Sequence, residues 1–223
     1  MTTLVVVKKE HQIVIAGDSL TTFGDMRLPA EYDRSYDKIV QYQDTYIALC
    51  GSAAHQLVFH NLLAHQKKSL NFSNKALIFE TFRQLHPILK EKHFLNPKED
   101  EDDPYESSQL SALVANPHGI FGVYSMREVF EFERFWAAGS GREFALGAMH
   151  AVYSTPSFDA QAIADAGIAA GTMFDRNSAL PMTRYTISLS KDNEDISTPA
   201  ENEPIATKMS AKGSRKKSSK VTS

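Results

Sequence analysis

The sequence predicts a layered α+β fold in one ordinary domain, and three observations lead there. Strand-like and helix-like stretches follow the order strands, two helices, strands, two helices, strand. Helices that come in pairs, without alternating with strands, disfavour a doubly wound parallel sheet and favour a sandwich of layers. The first two helical stretches each carry one apolar stripe and a polar back, so they should cover a sheet on one side. A length of 223 residues with 42% hydrophobic content supplies a sizeable core, with chain to spare.

The first strands are the β-branched runs at residues 4–7 and 13–16, flanking the polar stretch 8–12 in the pattern of a hairpin. Folding about Glu10 sets Val7 against Ile13 and Val5 against Ile15, so Thr2 faces Asp18, roughly 5 Å away between Cα atoms. Residues 18–36, rich in Thr, Gly, Pro and charge, should form an exposed loop passing close to Thr2. A short strand pair follows at 37–43 and 46–49, turning at Gln43 and Asp44. Gly51 sits where strand gives way to helix.

Helical spacing appears over 52–70, at Ala54, Val58 and Leu62, and over 74–92, at Ile78, Phe82, Leu85 and Leu89. The acidic stretch 98–107 lacks the alternating ligands and central glycine of a calcium loop, and is expected to be a solvated surface loop. Residues 109–116, 120–125 and 129–138 read as strands, with a turn at Pro117, His118 and Gly119. They lead through Gly139-Ser140-Gly141 into a helix over 142–153. Ser157 is placed to cap a fourth helix over 158–174, rich in small residues, and 182–189 closes as a strand. From Lys191 the composition turns to Ser, Thr, Pro, Asn and charge, so one folded domain is set at 1–190 and 191–223 is expected to be a disordered basic tail.

Composition narrows the function classes. A net charge of −3 and a pI near 6.2 argue against a nucleic-acid partner. The single cysteine, Cys50, fits a reducing cytosol, and no apolar run is long enough for a membrane span or a signal sequence. A cytoplasmic protein without membrane association is expected. His55, His60 and His65 recur at intervals of five, which spreads them around a helix, and neither a metal spacing nor a phosphate loop occurs. No cofactor is expected, and any ATP must be hydrolysed by another protein.

Met1 precedes a small residue, the context in which the initiator is usually trimmed. Its removal would leave Thr2 with a free α-amine beside its own hydroxyl, and an α-amine titrates near ~7.7–8.0. Nucleophile and base would then belong to one residue. Taken alone, Thr2 and Thr3 would merely begin an edge strand.

The remaining motifs change that weighting. Thr2-Thr3-Leu4-Val5-Val6-Val7, Ala16-Gly17-Asp18-Ser19, Thr21-Thr22-Phe23-Gly24, Asp37-Lys38-Ile39-Val40 and Leu49-Cys50-Gly51-Ser52-Ala53-Ala54 resemble the β-type proteasome subunits and their bacterial relative HslV. Ala138-Gly139-Ser140-Gly141 and Asp175-Arg176-Asn177-Ser178 resemble the family's later motifs, so the likeness spans about residues 2–189. Its flavour is most like the proteasome homologues of betaproteobacteria.

The resemblance implies a four-layer αββα sandwich of the N-terminal nucleophile hydrolase type and a threonine endopeptidase with no propeptide beyond Met1. It implies Thr2 as nucleophile, Lys38 as the neighbouring ammonium, Asp18 as the carboxylate that orients and neutralises it, and the Gly51 N–H as oxyanion donor. Ser140, Asp175 and Ser178 would hold the terminal amine. The backbone at Thr22 would pair with an extended peptide, and Leu49 and Ala53 would line an apolar pocket beneath the scissile bond, suggesting hydrophobic side chains there. Self-assembly into two stacked rings is implied, with seven subunits per ring as the expectation and six as the HslV alternative, and a separate ATP-dependent unfoldase is a possible partner. Two other functions fit: a catalytically silent scaffold subunit, and an N-terminal nucleophile amidase acting on small molecules.

Overall fold

The computed structural model describes residues 2–66, 69–95, 106, 110–125 and 127–190. Met1 and the basic stretch 191–223 lie outside the described residues, as does all of the acidic stretch 98–107 except Glu106, whose carboxylate pairs with Lys90 and His86.

Strands β1 (Thr3–Lys9) and β2 (Gln12–Asp18) form the central hairpin. The run Leu4 to Val7 is wholly buried because its two faces have different partners. Leu4 and Val6 point into the layer between the sheets, while Val5 and Val7 point into the layer beneath the helices. A strand covered on both sides reads as a continuous apolar run, with no polar alternation.

The hairpin register differs from the expected one by a single residue. Leu4 pairs with Gly17, Val5 with Ala16 and Val7 with Val14. The chain turns through two residues, Glu10 and His11, with Glu10 left-handed at φ 53°, and does not pivot on Glu10 alone. Two-residue turns match the twist of the strands they join. A one-residue slip inverts every side chain, so the consequence for Thr2 is tested by the site geometry below.

Residues 18–36 contain more order than expected. Strands β3 (Thr21–Phe23) and β4 (Met26–Leu28) make a small antiparallel ribbon. Strands β5 (Ile39–Tyr42) and β6 (Thr45–Cys50) follow, joined through left-handed Gln43. The first helix, α1 (Ala53–His65), is shorter than its expected span and buries His55, Phe59, Leu62 and Leu63, with Ala54 exposed. The apolar periodicity was ambiguous there because alanine and histidine fall on both faces. Helix α2 (Lys75–His93) buries Ile78, Phe82, Leu85 and Leu89 as expected, and Asn74 caps it by accepting from Leu77 N at 3.0 Å.

Strands β7 (Ser111–Asn116) and β8 (Gly119–Val123) precede a run that was expected to be one strand. It is two, β9 (Val129–Phe132) and β10 (Phe135–Gly139), broken at Glu133 and Arg134. Strand β9 pairs with β8 and β10 pairs with β1, so the chain passes there from one sheet to the other. Helix α3 (Arg142–Tyr153) has its expected bounds. Helix α4 (Ala160–Phe174) starts later than expected and is capped by Asp159, which accepts from Ala162 N at 2.7 Å, and not by Ser157. A carboxylate at that position also answers the helix dipole. Strand β11 (Met182–Ser188) completes the fold.

The sheets run β10-β1-β2-β11 and β5-β6-β7-β8-β9. Helices α3 and α4 cover the first through Ala145, Met149, Ile163, Ala164 and Ile168, and α1 and α2 cover the second through Phe59, Phe82 and Leu85. Between the sheets lie Leu4, Ile15, Ala48, Leu113 and Ile120. This is a four-layer αββα sandwich, and it brings the start of β1, the end of β2 and the loop before β5 together at one end.

Candidate active site

Thr2, at the head of β1, is almost fully buried. Its Oγ1 donates to Asp18 Oδ1 and accepts from Lys38 Nζ at 2.7 Å. The shifted hairpin register thus leaves the expected contact intact. Asp18 ends β2 and uses both oxygens: Oδ1 also accepts from Thr3 N at 2.9 Å, while Oδ2 accepts from Leu20 N at 3.0 Å and Ala179 N at 3.2 Å. Backbone donors from three segments fix the carboxylate, so it does not depend on the strand register alone.

Lys38 stands just before β5 and its ammonium has a partner for each of its three protons. These are Thr2 Oγ1 and Asp18 Oδ1, both at 2.7 Å, and Leu20 O at 2.8 Å. Burial lowers the Lys38 pKa, and the Asp18 charge opposes that shift. The arrangement places a cation with reduced proton affinity against a hydroxyl, with a fixed carboxylate compensating its charge.

A second group closes around the backbone of Thr2. Thr2 N donates to Ser140 Oγ at 3.2 Å, Ser140 Oγ donates to Asp175 Oδ2 at 2.6 Å, and Ser178 Oγ donates to the same oxygen at 2.7 Å. Ser178 meets Thr3 Oγ1 at 2.7 Å, so its contact with residue 2 is indirect. Burial pushes the Asp175 pKa up, but hydrogen bonds from Ser140, Ser178 and Asn177 outweigh it and hold the carboxyl below its ordinary value. The associated stability is complete above the ordinary carboxylate range and is lost as pH falls through the depressed folded pKa. Asp175→Asn should therefore flatten the acid limb of a stability curve, measured by urea unfolding between about pH 5 and pH 3.

Gly51 follows β6 at φ 136°, a conformation that favours glycine, and Ser52 then caps α1 by accepting from Ala54 N at 3.3 Å. It lines a recess of about 50 Å³ with Thr2, Thr22, Lys38, Leu49 and Ala53. All ten residues singled out in the sequence therefore fall in or beside one cleft. Sequence reasoning missed Thr3, the backbone of Leu20 and Ala179, and Cys50, which also lines the recess. Cys50 was legible as the residue before Gly51, but the backbone donors carry no side-chain signature.

Gly139, within the Ala138-Gly139-Ser140-Gly141 motif, has a steric role of its own. At φ 91°, a Cβ there would overlap the Thr2 carbonyl, so glycine is required for β10 to approach the head of β1. Gly139→Ala should cost about 2 kcal/mol or more of stability, measurable by denaturant unfolding.

A four-layer αββα sandwich with a threonine hydroxyl at the head of a central strand, held by a buried lysine and aspartate, defines the N-terminal nucleophile hydrolase class. No family model matches the chain. BPH of Thiobacillus denitrificans is 40% identical, with a TM-score of 0.80 over 85% of this chain and 100% of that one. The same protein in complex with epoxomicin is 39% identical, with a TM-score of 0.79 over 84% of this chain and 99% of that one. A proteasome subunit beta from Nanoarchaeum equitans (strain Kin4-M) is 28% identical over 164 residues, 69% of this chain and 75% of that subunit. Eukaryotic HslV from Trypanosoma brucei, at 19% identity, shares the fold with a TM-score of 0.60 over 83% of this chain and 99% of that one. The chain belongs to the proteasome β-type/HslV peptidase family, a family of threonine peptidases whose members assemble into stacked rings. Among the described residues, no helix is long and apolar enough to cross a membrane.

Proposed function

We propose that this chain is a threonine endopeptidase that hydrolyses peptide bonds with Thr2, once cleavage of the Met1–Thr2 bond has freed its amine. The observation that carries the reading is the contact of one buried hydroxyl with both Lys38 Nζ at 2.7 Å and Asp18 Oδ1. Lys38 stabilises developing negative charge on Oγ1, Asp18 holds Lys38 in place, and the Thr2 amine, steadied by Ser140, accepts the hydroxyl proton. Oγ1 then adds to the substrate carbonyl, whose oxygen takes its charge toward the Gly51 N–H at the start of α1. The C–N bond breaks as the departing nitrogen receives that proton, leaving an ester on Thr2. Water, deprotonated by the same amine, hydrolyses the ester and restores the hydroxyl.

Substrate would add to β3 as an extended strand at Thr22, since β3 has a strand partner on one side only, β4, among the described residues. We place the working protein in the cytoplasm, as a closed double ring with seven subunits per ring, supplied with unfolded chains by a separate ATP-dependent unfoldase. Enclosure would explain how so simple a nucleophile spares folded proteins. The test pairs the intact mass of the mature chain with a fluorogenic peptide assay. Loss of Met1 together with hydrolysis supports the reading. An assembled, trimmed particle that cleaves no peptide overturns it in favour of a silent scaffold.

A further inference from the structure

Cys50 belongs to two recesses at once. One is the small cleft beside Thr2, about 50 Å³, room for a few waters. The other is about 680 Å³ and lies where β9 passes over to β10 and α3 begins, lined by Phe130, Phe132, Trp136, Gly139 and, at its polar side, Arg142 and Glu128. Only the second can take a large side chain whole. We infer that this cavity receives the side chain of the residue that follows the scissile bond, and that it selects a large apolar or aromatic residue there. The inference rests on the peptidase reading above.

Position gives the first argument. Thr2 N donates to Ser140 Oγ, and Gly139, immediately before Ser140, lies against the Thr2 carbonyl and lines the cavity. In the proposed reaction the departing nitrogen takes its proton from that amine, so the leaving segment exits on the cavity side of Thr2. Cys50 forms part of the wall of both spaces, so the larger one lies next to the recess that holds Thr2.

The lining gives the second. Phe132 and Trp136 stack with ring centroids 4.9 Å apart, and Trp136 Nε1 donates to Tyr124 Oη at 2.6 Å. The indole is thereby fixed with its one donor already used, so it offers a guest its ring and not a hydrogen bond. Arg142, about half exposed, donates to Gly139 O at 3.2 Å and stands where a guanidinium can meet a peptide carbonyl of the departing segment. A mostly apolar, aromatic wall with Arg142 and Glu128 at its polar edge fits an aromatic residue with its backbone trailing past.

The only tryptophan of the chain lines the cavity, so binding can be read without catalysis. Phenylalanyl-alanine amide, a mimic of the leaving segment, should change Trp136 emission saturably, and glycyl-alanine amide should not. With quenched peptides that differ only after the scissile bond, phenylalanine should exceed glycine by about ten- to a hundredfold in kcat/KM. Ser111→Phe, which fills the cavity from the start of β7, should erase both differences while a peptide aldehyde, having no leaving segment, inhibits variant and parent alike. Phe130→Ala, which removes one wall, should weaken the phenylalanine preference without abolishing hydrolysis of the glycine peptide. Hydrolysis that is indifferent to the residue after the bond, with Trp136 emission blind to both amides, overturns the inference and leaves the peptidase reading standing. An emission response in a trimmed chain that hydrolyses nothing overturns the peptidase reading and supports the ligand class assigned to the cavity.

Discussion

Thr2→Ala is expected to reduce peptide hydrolysis by at least about 10⁴-fold while the sandwich and its assembly persist. In this molecule the hydroxyl is the point where the lysine and aspartate converge, and no neighbouring group replaces it. Thr3 Oγ1 is the nearest alternative in sequence, but it is committed to Ser178 and lies on the face of β1 toward the helices. The structural cost is small by comparison. Removing one buried hydroxyl leaves Lys38 and Asp18 still paired at 2.7 Å, so about 1 kcal/mol of stability is at stake. Peptide hydrolysis and thermal unfolding of the same preparation check both parts. A variant that cleaves at the parent rate would remove Thr2 from the mechanism.

The second large effect is on Lys38, and here activity and stability should fall together. Lys38→Met keeps most of the side chain's length but leaves the Asp18 carboxylate, fully buried, without its cation. The three backbone N–H groups on Asp18 remain, yet breaking a buried pair on one side typically costs about 3–5 kcal/mol. Asp18→Asn strands the ammonium instead. The double variant should be less destabilised than the sum of the single ones, because neither charge is then left alone. A double-mutant cycle in urea measures this directly, and additive losses would mean that the pair is not a unit. Hydrolysis should be lost in all three variants, and Lys38→Arg should not restore it, since a planar fork cannot reproduce three divergent donors within one buried space.

The pH dependence follows from the same burial. Lys38 has a lowered pKa in the folded chain, so between that value and the ordinary lysine range the unfolded chain binds more protons. The contribution of Lys38 to stability therefore rises with pH across that alkaline window, and Lys38→Met should abolish the rise.

Much of the architecture was legible because periodicity and end signals agreed. In α2 the stripe Ile78, Phe82, Leu85 and Leu89 marked the buried face of a helix expected to begin near Asn74, and the Gly139-Ser140-Gly141 turn marked where α3 begins. Where signals were weak, boundaries moved. Helix α1 carries alanine and histidine on both faces, and α4 is capped by Asp159, two residues beyond the Ser157 expected from the sequence. The run from Val129 to Ala138 has unbroken strand character, and nothing local marks Glu133 and Arg134 as the place where the chain changes sheets.

By itself, the sequence determined the layered class and the pairing of helices, because burial pattern and side-chain type are local properties written into each segment, and its motifs, through their resemblance to a family, marked the residues that meet around Thr2. Only the tertiary structure decided that Asp18 is fixed by the backbone of Thr3, Leu20 and Ala179, that Ser178 reaches Thr3 and not the amine of residue 2, and that an aromatic cavity adjoins Thr2 behind Gly139. Those are contacts between segments separated by up to 175 positions, many of them through main-chain atoms that every residue shares. Their geometry exists only once the two sheets have closed upon each other.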